Sequence, residues 1–137
     1  VCAAAVSDWR AVETAEQKLK KAGRKGAPAL SLTENPDILA TLAGHKKSRP
    51  RLVIGFAAET EKLIDNAKAK LKRKGCDWVV ANDVSEAGGV MGGDRNKVHL
   101  VSKAGVEDWP AMSKREVAQN LARRIADHLA PKRKAAE

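Results

Sequence analysis

The feature that most constrains the fold of this chain is an alternation of short apolar runs with segments of helical periodicity. Runs typical of buried strands lie at Val1–Val6, Leu52–Ala58 and Trp78–Ala81. Helical segments separate these runs, and another closes the chain. The alternation predicts an α/β fold with three layers, in which a mostly parallel, Rossmann-like sheet is covered by helices on both faces.

The first predicted helix has a clear start signal at Asn35-Pro36-Asp37. Asn suits the N-cap, Pro suits the first helical position, and Asp favours the positive end of the helix dipole. Gly44 is the stop signal that follows. A helix start of this kind also offers backbone N–H groups to a phosphate or a nucleobase carbonyl.

Two further helices are predicted from apolar stripes and end signals. The second opens near Thr60 and ends at Gly75. The third opens with a capping box of Ser113 and Glu116 and ends before Pro131. The two stripes are Leu63, Ile64, Ala67 and Leu71, and Val117, Leu121, Ile125 and Leu129.

The remaining segments are short strands and connections. Ala29–Thr33 and Val98–Val101 are predicted strands, the second as part of an added hairpin. Residues 11–21 fit either a helix or an exposed ribbon, and residues 86–96 form a Gly-rich connection. A chain of 137 residues suits one domain, so we predict a single domain over residues 1–137 with a basic tail at about 131–137.

The positions of the cysteine and histidine residues limit the kinds of site and the cellular compartment that fit this chain. Cys2 and Cys76 are the two cysteines and form no CxxC pair, which argues against a disulfide framework and fits the cytoplasm. His45, His99 and His128 lack metal-ligand spacing, so we assign no residue to a metal. The apolar runs are too short to span a bilayer, and we therefore expect no membrane partner.

Polar residues follow the predicted strands at their carboxyl ends, where open α/β sheets bind ligands. Their convergence would make a binding crevice, although each residue alone is more typical of capping or turn formation. They are Asp8, Asn35, Glu59, Asn82, Asp83 and Ser85, with Phe56 beside them.

The formal net charge of +9 fits either a soluble basic surface or a polyanionic ligand. Lys70 and Lys74 are four residues apart and share a helix face, while Lys18, Lys20 and Lys21 lie close together. These lysines suit a triphosphate site, although a solvated face is the commoner role. Nucleic-acid binding is a weaker alternative, because aromatic residues make up only 3% of the chain.

Several short motifs, taken in order, resemble the phosphopantothenate–cysteine ligase family. In most bacteria that domain is the C-terminal half of a bifunctional flavoprotein of coenzyme A biosynthesis. The resemblance runs from Val1 to about Leu129, and the ordered set is more specific than any one motif. The motifs are AAVSDWR (4–10), KLKK (18–21), NPDIL (35–39), GFAAET (55–60), AKAKLKRKG (67–75) and ANDVS (81–85).

The resemblance implies CTP-dependent chemistry. The family activates the carboxylate of 4′-phosphopantothenate with CTP, which gives an acyl-cytidylate and pyrophosphate, and cysteine then displaces CMP. The resemblance also implies Mg²⁺ with the triphosphate, and FMN only in the decarboxylase half, outside this chain. It further implies a homodimer in which the KLKK segment forms a flap near the partner.

The resemblance implies roles for the residues that match the family motifs. Asp8 and Lys18 are expected to contact CTP, with Lys18 as the catalytic residue that stabilises charge during transfer. Phe56 is expected to pack against the nucleotide, and Lys70 and Lys74 to hold phosphates. The nucleotide-binding residues also include Ala3 and Ala4 beside the nucleotide, and Asn35, Pro36, Asp37 and Ile38 at the cytidine end.

One departure from the family concerns the segment before the matching part. There the family has a strand, a Gly/Ser-rich turn and a helix, with an Asn implicated in handling the acyl-cytidylate. No such segment precedes Val1. We therefore expect a sheet without its N-terminal strands and a chain that does not complete the reaction alone. A non-catalytic nucleotide-binding module is the alternative function.

Overall fold

The structure is a computed structural model that describes residues 1–3, 6–14, 17, 29–85 and 93–131. The chain divides into two compact units, a smaller one of Ala4–Asp37 and a larger one of Val1–Ala3 with Ile38–Glu137. The whole KLKK segment, the glycines of residues 86–92 and the tail after Pro131 lie outside the described residues.

The smaller unit contains an antiparallel ribbon. Its strands are β1 (Trp9–Ala11) and β2 (Leu32–Glu34), with Arg10 opposite Thr33. The strand predicted at Ala29–Thr33 is therefore present, but it is shorter and shifted toward Glu34.

The larger unit is built on a mixed sheet. Its elements are α1 (Ile38–Gly44), β3 (Ile54–Glu59), α2 (Leu63–Lys74), β4 (Trp78–Asp83), β5 (Arg95–Asn96), β6 (Val98–Ser102), β7 (Gly105–Asp108), β8 (Met112–Ser113) and α3 (Lys114–Leu129). The four-stranded sheet has the order β3-β4-β6-β7, and β5 pairs with β8 separately.

The α/β class is confirmed, but the expectation of a mostly parallel sheet needs correction. β3 and β4 are parallel, as a βαβ unit requires, because α2 connects them. β6 is antiparallel to β4, and β7 is antiparallel to β6, which the two residues Lys103 and Ala104 join to it as a hairpin. One side of the sheet is therefore parallel and the other antiparallel.

In its described residues, 1–3 and 6, the first apolar run shows an isolated bridge and not the buried strand that the sequence predicts. Cys2 makes an isolated parallel bridge with Gly55, whereas Val1 and Val6 are 68% and 54% exposed. The run consists largely of alanine, which has low strand propensity and little apolar area to bury.

Two apolar clusters lie on opposite faces of the sheet, as strand alternation requires. Helices α1 and α2 cover one face, where Leu39 and Leu71 belong to the same buried cluster as Val79. Helix α3 covers the other face, where Leu121 belongs to the cluster of Trp78. This arrangement confirms the three layers.

Local end signals are confirmed for α2 and α3. Gly75 ends α2 in the left-handed region at φ 66°, and its N–H donates to the Leu71 carbonyl. Ser113 and Glu116 form the capping box at the start of α3. Among the described helices, none combines the length and apolar character that a membrane span requires.

Candidate functional site

Asn35 directly follows β2 and bonds to residues at the start of β1, at one end of the ribbon in the smaller unit. Its backbone N–H donates to the Asp8 carbonyl at 2.8 Å, and its Nδ2 donates to the Ser7 carbonyl at 2.7 Å. Its Oδ1 accepts a hydrogen bond from Arg10 Nη1 at 3.1 Å. Both polar atoms of the Asn35 side chain are therefore used within the ribbon.

The N-cap predicted at Asn35 is wrong, because α1 begins at Ile38. The Asn35 amide is held by Ser7 and Arg10, which leaves it unable to cap a helix. Pro36 and Asp37 are exposed ahead of α1, and Ile38 is 50% exposed at its first position. The cytidine-binding role of residues 35–38 stays a prediction.

Asp8 directly precedes β1 and presents an exposed carboxylate at the same end of the ribbon. Its backbone carbonyl accepts the Asn35 N–H, but its carboxylate makes no hydrogen bond or ion pair with any described residue. This carboxylate is available to a ligand, and its contact with CTP stays a prediction. Ala3 is exposed, whereas Ala4 and the predicted catalytic Lys18 lie outside the described residues.

The carboxyl ends of β3 and β4 lie side by side in the larger unit. Glu59 and Asp83 are register partners across the two strands. Glu59 Oε2 accepts from Asn66 Nδ2 at 3.1 Å, and Asp83 Oδ1 accepts from the Ser85 N–H at 2.8 Å. Hydrogen bonds from Ser85 lower the pKa of the Asp83 carboxyl, which keeps this group ionised at neutral pH.

Two polar residues that hydrogen-bond to predicted site residues, Asn66 and Arg10, are not predicted from the sequence. Asn66 lies in the first turn of α2 and also donates to the Glu61 carbonyl at 3.0 Å. An asparagine inside a helix often bonds to nearby polar groups, and this signal could have drawn attention to Asn66. Arg10 carried no comparable signal, because its partners Glu34 and Asn35 are distant in sequence.

The predicted nucleotide residues of β3 and α2 lie on different faces of the sheet. Phe56 packs against the cluster beneath α3, whereas Lys70 and Lys74 belong to α2 on the other face. These lysines lie about 10 and 16 Å along the helix axis from Leu63, toward the amino end of β4. The structure does not bring Phe56 together with the two lysines. Their roles in nucleotide binding stay predictions.

The described carboxylates offer only partial coordination to a divalent cation. Among the described residues, no group of three or more His, Cys, Asp and Glu side chains could hold a metal ion. Mg²⁺ commonly takes one or two protein carboxylates and completes its shell with water and substrate phosphates. The adjacent strand ends at Glu59 and Asp83 fit that limited role.

Known proteins are similar to this chain in both sequence and fold. The family model for the DNA/pantothenate metabolism flavoprotein C-terminal domain matches residues 1–129. The coenzyme A biosynthesis bifunctional protein CoaBC of Haemophilus influenzae is 43% identical over 124 residues, or 90% of this chain and 30% of that protein. CoaBC of Vibrio cholerae is 36% identical over 129 residues, or 94% of this chain and 32% of that protein.

A crystal structure of the C-terminal domain of a CoaBC protein has the same fold. It superposes with a TM-score of 0.63 at 32% identity, over 92% of this chain and 52% of that chain. The present chain spans about a third of the length of the two curated relatives described above.

Proposed function

This chain belongs to the DNA/pantothenate metabolism flavoprotein C-terminal domain family, and we propose that it is the nucleotide-handling part of a phosphopantothenate–cysteine ligase. The observation that carries the proposal is the family match over residues 1–129, in line with the CoaBC relatives. In the proposed reaction, CTP activates the carboxylate of 4′-phosphopantothenate as an acyl-cytidylate with release of pyrophosphate. Cysteine then displaces CMP to form the amide of phosphopantothenoylcysteine.

The predicted nucleotide-binding residues suit distinct tasks in this reaction. The free Asp8 carboxylate can accept hydrogen bonds from the nucleotide, and the Lys70 and Lys74 ammonium groups can neutralise phosphates. Lys18 is proposed to stabilise the charge that develops as pyrophosphate leaves, a role that preorganised cations perform well. Alignment of the acyl carboxylate with the α-phosphorus then depends on a fixed nucleotide position.

The cofactors of the proposed reaction follow from the nucleotide. Mg²⁺ would be held chiefly by the triphosphate, where it neutralises charge, with Glu59 and Asp83 as the described carboxylates suited to its waters. FMN belongs to the decarboxylase half of the bifunctional relatives and has no part in the reaction proposed here. The proposal includes a cytoplasmic homodimer without nucleic-acid or membrane partners, and light scattering of the purified chain tests the dimer.

Calorimetry and a pyrophosphate assay test the proposed function. CTP titrated into the chain is expected to bind more tightly than ATP at the same ionic strength. Pyrophosphate release is then measured with 4′-phosphopantothenate and cysteine, in the chain and in a bifunctional parent that carries it. Equal or absent binding of CTP and ATP by both proteins would contradict the ligase assignment.

Nucleotide binding without ligase turnover is the second candidate function. The observation that favours it is the exposed Asp8 carboxylate, which makes no hydrogen bond or ion pair with any described residue. CTP binding by the chain without pyrophosphate release, alongside an active parent, would support this candidate. Pyrophosphate release by the chain itself would exclude it.

A further inference from the structure

Arg49 contacts the ends of two helices from the connection between α1 and β3. Its Nε donates to the Ala43 carbonyl at 3.0 Å, in the last turn of α1. Its Nη2 donates to the Gly75 carbonyl at 3.3 Å, at the C-cap of α2, and pairs with Asp77 Oδ2 at 3.0 Å. Its Nη1 donates to the Pro50 carbonyl at 3.0 Å, which fixes the guanidinium relative to its own loop.

The Asp77 carboxylate extends this contact to the sheet. Asp77 Oδ2 also accepts the Val53 N–H at 2.7 Å, beside the start of β3. The side chains of Arg49 and Asp77 are only 29% and 32% exposed, so water screens the pair less than a fully exposed one. Arg49 therefore joins α1, α2 and the amino ends of β3 and β4.

Only an arginine side chain supplies this set of contacts. The guanidinium is a planar fork with five N–H donors, whereas a lysine ammonium is a compact point charge. The last carbonyls of a helix carry partial negative charge, and a cation placed between two such ends stabilises both. Helices α1 and α2 meet closely here, since a Cβ built on Gly75 would lie 4.0 Å from Ala43 Cβ.

The two joined helices carry predicted nucleotide contacts. Ile38 is the first residue of α1, and Lys70 and Lys74 lie on α2. Helix α1 is only about 10 Å long, so a tilt at its C-terminal end also moves Ile38. A displacement of about 1 Å in a binding site can lower catalysis about a hundredfold.

We propose that Arg49 is a positioning residue, which holds the C-terminal ends of α1 and α2 together and thereby sets the distance of Ile38 from Lys70 and Lys74 that nucleotide binding requires. The part of this inference that concerns nucleotide binding rests on the proposed function. The clamp itself, meaning the contacts of Arg49 with Ala43, Gly75 and Asp77, is open to a separate test.

The reactivity of the Cys76 thiol tests the clamp in the absence of nucleotide. It lies between Gly75 and Asp77, the two residues that Arg49 holds, and is 1% exposed. Burial raises the pKa of its thiol, which further slows its reaction with thiol reagents. Cys2 is the other cysteine of the chain, so a Cys2→Ser background leaves Cys76 as the sole thiol.

The experiment compares three variants in the Cys2→Ser background. Arg49→Lys keeps the positive charge and removes the fork. Arg51→Lys is the matched control, because the exposed Arg51 side chain contacts no described residue. Ser113→Ala is the stability control, because Ser113 caps α3 and carries no predicted nucleotide contact.

The affinity for CTP is measured by calorimetry, and the rate of Cys76 labelling is measured with an aromatic disulfide reagent. Both measurements are made at a temperature well below the unfolding midpoint of every variant. We expect Arg49→Lys to raise the Kd for CTP about tenfold or more, because loss of the clamp displaces the predicted nucleotide contacts on the two helices. Cys76 labelling is expected to accelerate by a similar factor. Arg51→Lys is expected to match the parent in both measurements, and Ser113→Ala is expected to retain CTP affinity.

Two outcomes would overturn the inference in different ways. Unchanged Cys76 labelling in Arg49→Lys would show that Arg49 does not clamp the helix ends. Equal loss of CTP affinity in Ser113→Ala and Arg49→Lys would show that general stability, and not positioning, controls binding. A parent chain that binds no CTP contradicts the proposed function and the part of this inference that concerns nucleotide binding, while the labelling still decides the clamp.

Discussion

At the residue scale, Gly55 shows how closely α1 approaches the sheet. A Cβ at this position of β3 would lie 2.5 Å from Leu39 Cδ2. Cys2 and Val79 flank Gly55 as partners on its two sides, so the strand has little freedom to move away. Any adjustment must therefore come from Leu39, which is itself buried.

Gly55→Ala is expected to lower the free energy of unfolding by about 1–3 kcal/mol, the usual cost of overpacking a core. Gly44→Ala is the control, because a Cβ there would meet nothing within 4 Å. The control is expected to be neutral or to stabilise by up to about 1 kcal/mol, since alanine favours a helix. Chemical denaturation of both variants gives the comparison, and equal midpoints would contradict the close contact with Leu39.

Asp8→Asn is expected to weaken CTP binding about tenfold, because it removes a charged acceptor from the predicted nucleotide site. The free energy of unfolding is expected to change by less than about 0.5 kcal/mol, because the carboxylate is exposed and contacts no described residue. Glu13→Gln, another exposed change in the smaller unit, is the control. Unaltered CTP affinity in Asp8→Asn would remove Asp8 from the site.

At the element scale, α3 begins with the capping box that its sequence predicts. Ser113 Oγ accepts the Glu116 N–H at 3.2 Å, and Glu116 Oε2 accepts the Ser113 N–H at 2.8 Å. The N–H and the hydroxyl of Ser113 both donate to the Glu116 carboxylate and lower its pKa from its ordinary value of 4.5. A lowered folded-state pKa contributes stability above 4.5, and this contribution is lost as pH falls through the folded-state value.

Ser113→Ala is expected to lower the free energy of unfolding by about 1 kcal/mol at neutral pH, the typical cost of losing an N-cap. The difference between Ser113→Ala and the parent is expected to narrow as the pH falls below 4.5, since protonated Glu116 no longer benefits from the box. Ser48→Ala, at an exposed bend, is expected to follow the parent at every pH. Parallel stability curves for Ser113→Ala and the parent would refute the pH linkage.

The sequence predicts the end of a helix correctly where residues of the same turn determine that end. Gly75 and the Ser113 capping box act within their own turns and were identified correctly. Asn35 was misread, because its side-chain partners Ser7 and Arg10 lie 28 and 25 positions earlier in the chain. Strand β7 was not predicted as a separate strand, because all of its residues are exposed and show no apolar alternation.

At the scale of the whole molecule, the sheet of the larger unit supports two apolar clusters at once. Leu71 of α2 lies in one cluster and is 9% exposed, and Leu121 of α3 lies in the other and is 7% exposed. Strand β4 contributes to both, through Val79 on one face and Trp78 on the other. Loss of packing on either face therefore weakens the same strands.

Leu71→Ala and Leu121→Ala are each expected to lower the free energy of unfolding by about 2–4 kcal/mol, as cavities in a core do. Each variant is expected to unfold in one transition, with coincident fluorescence and circular dichroism curves, because the two clusters share the sheet. Val106→Ala, on the exposed strand β7, is expected to cost less than about 1 kcal/mol. Separate transitions for the two faces would contradict a shared core.

By itself, the sequence determined the α/β class, the approximate positions of the three helices and the family, because these depend on local periodicity and the order of short motifs. The tertiary structure was needed to show that two of the three strand pairings in the four-stranded sheet are antiparallel, and that Phe56 faces α3 while the α2 lysines lie on the other face. It also decided that Arg49 joins two helix ends. These features depend on contacts between residues far apart in the chain, and local propensities do not encode which distant residues meet.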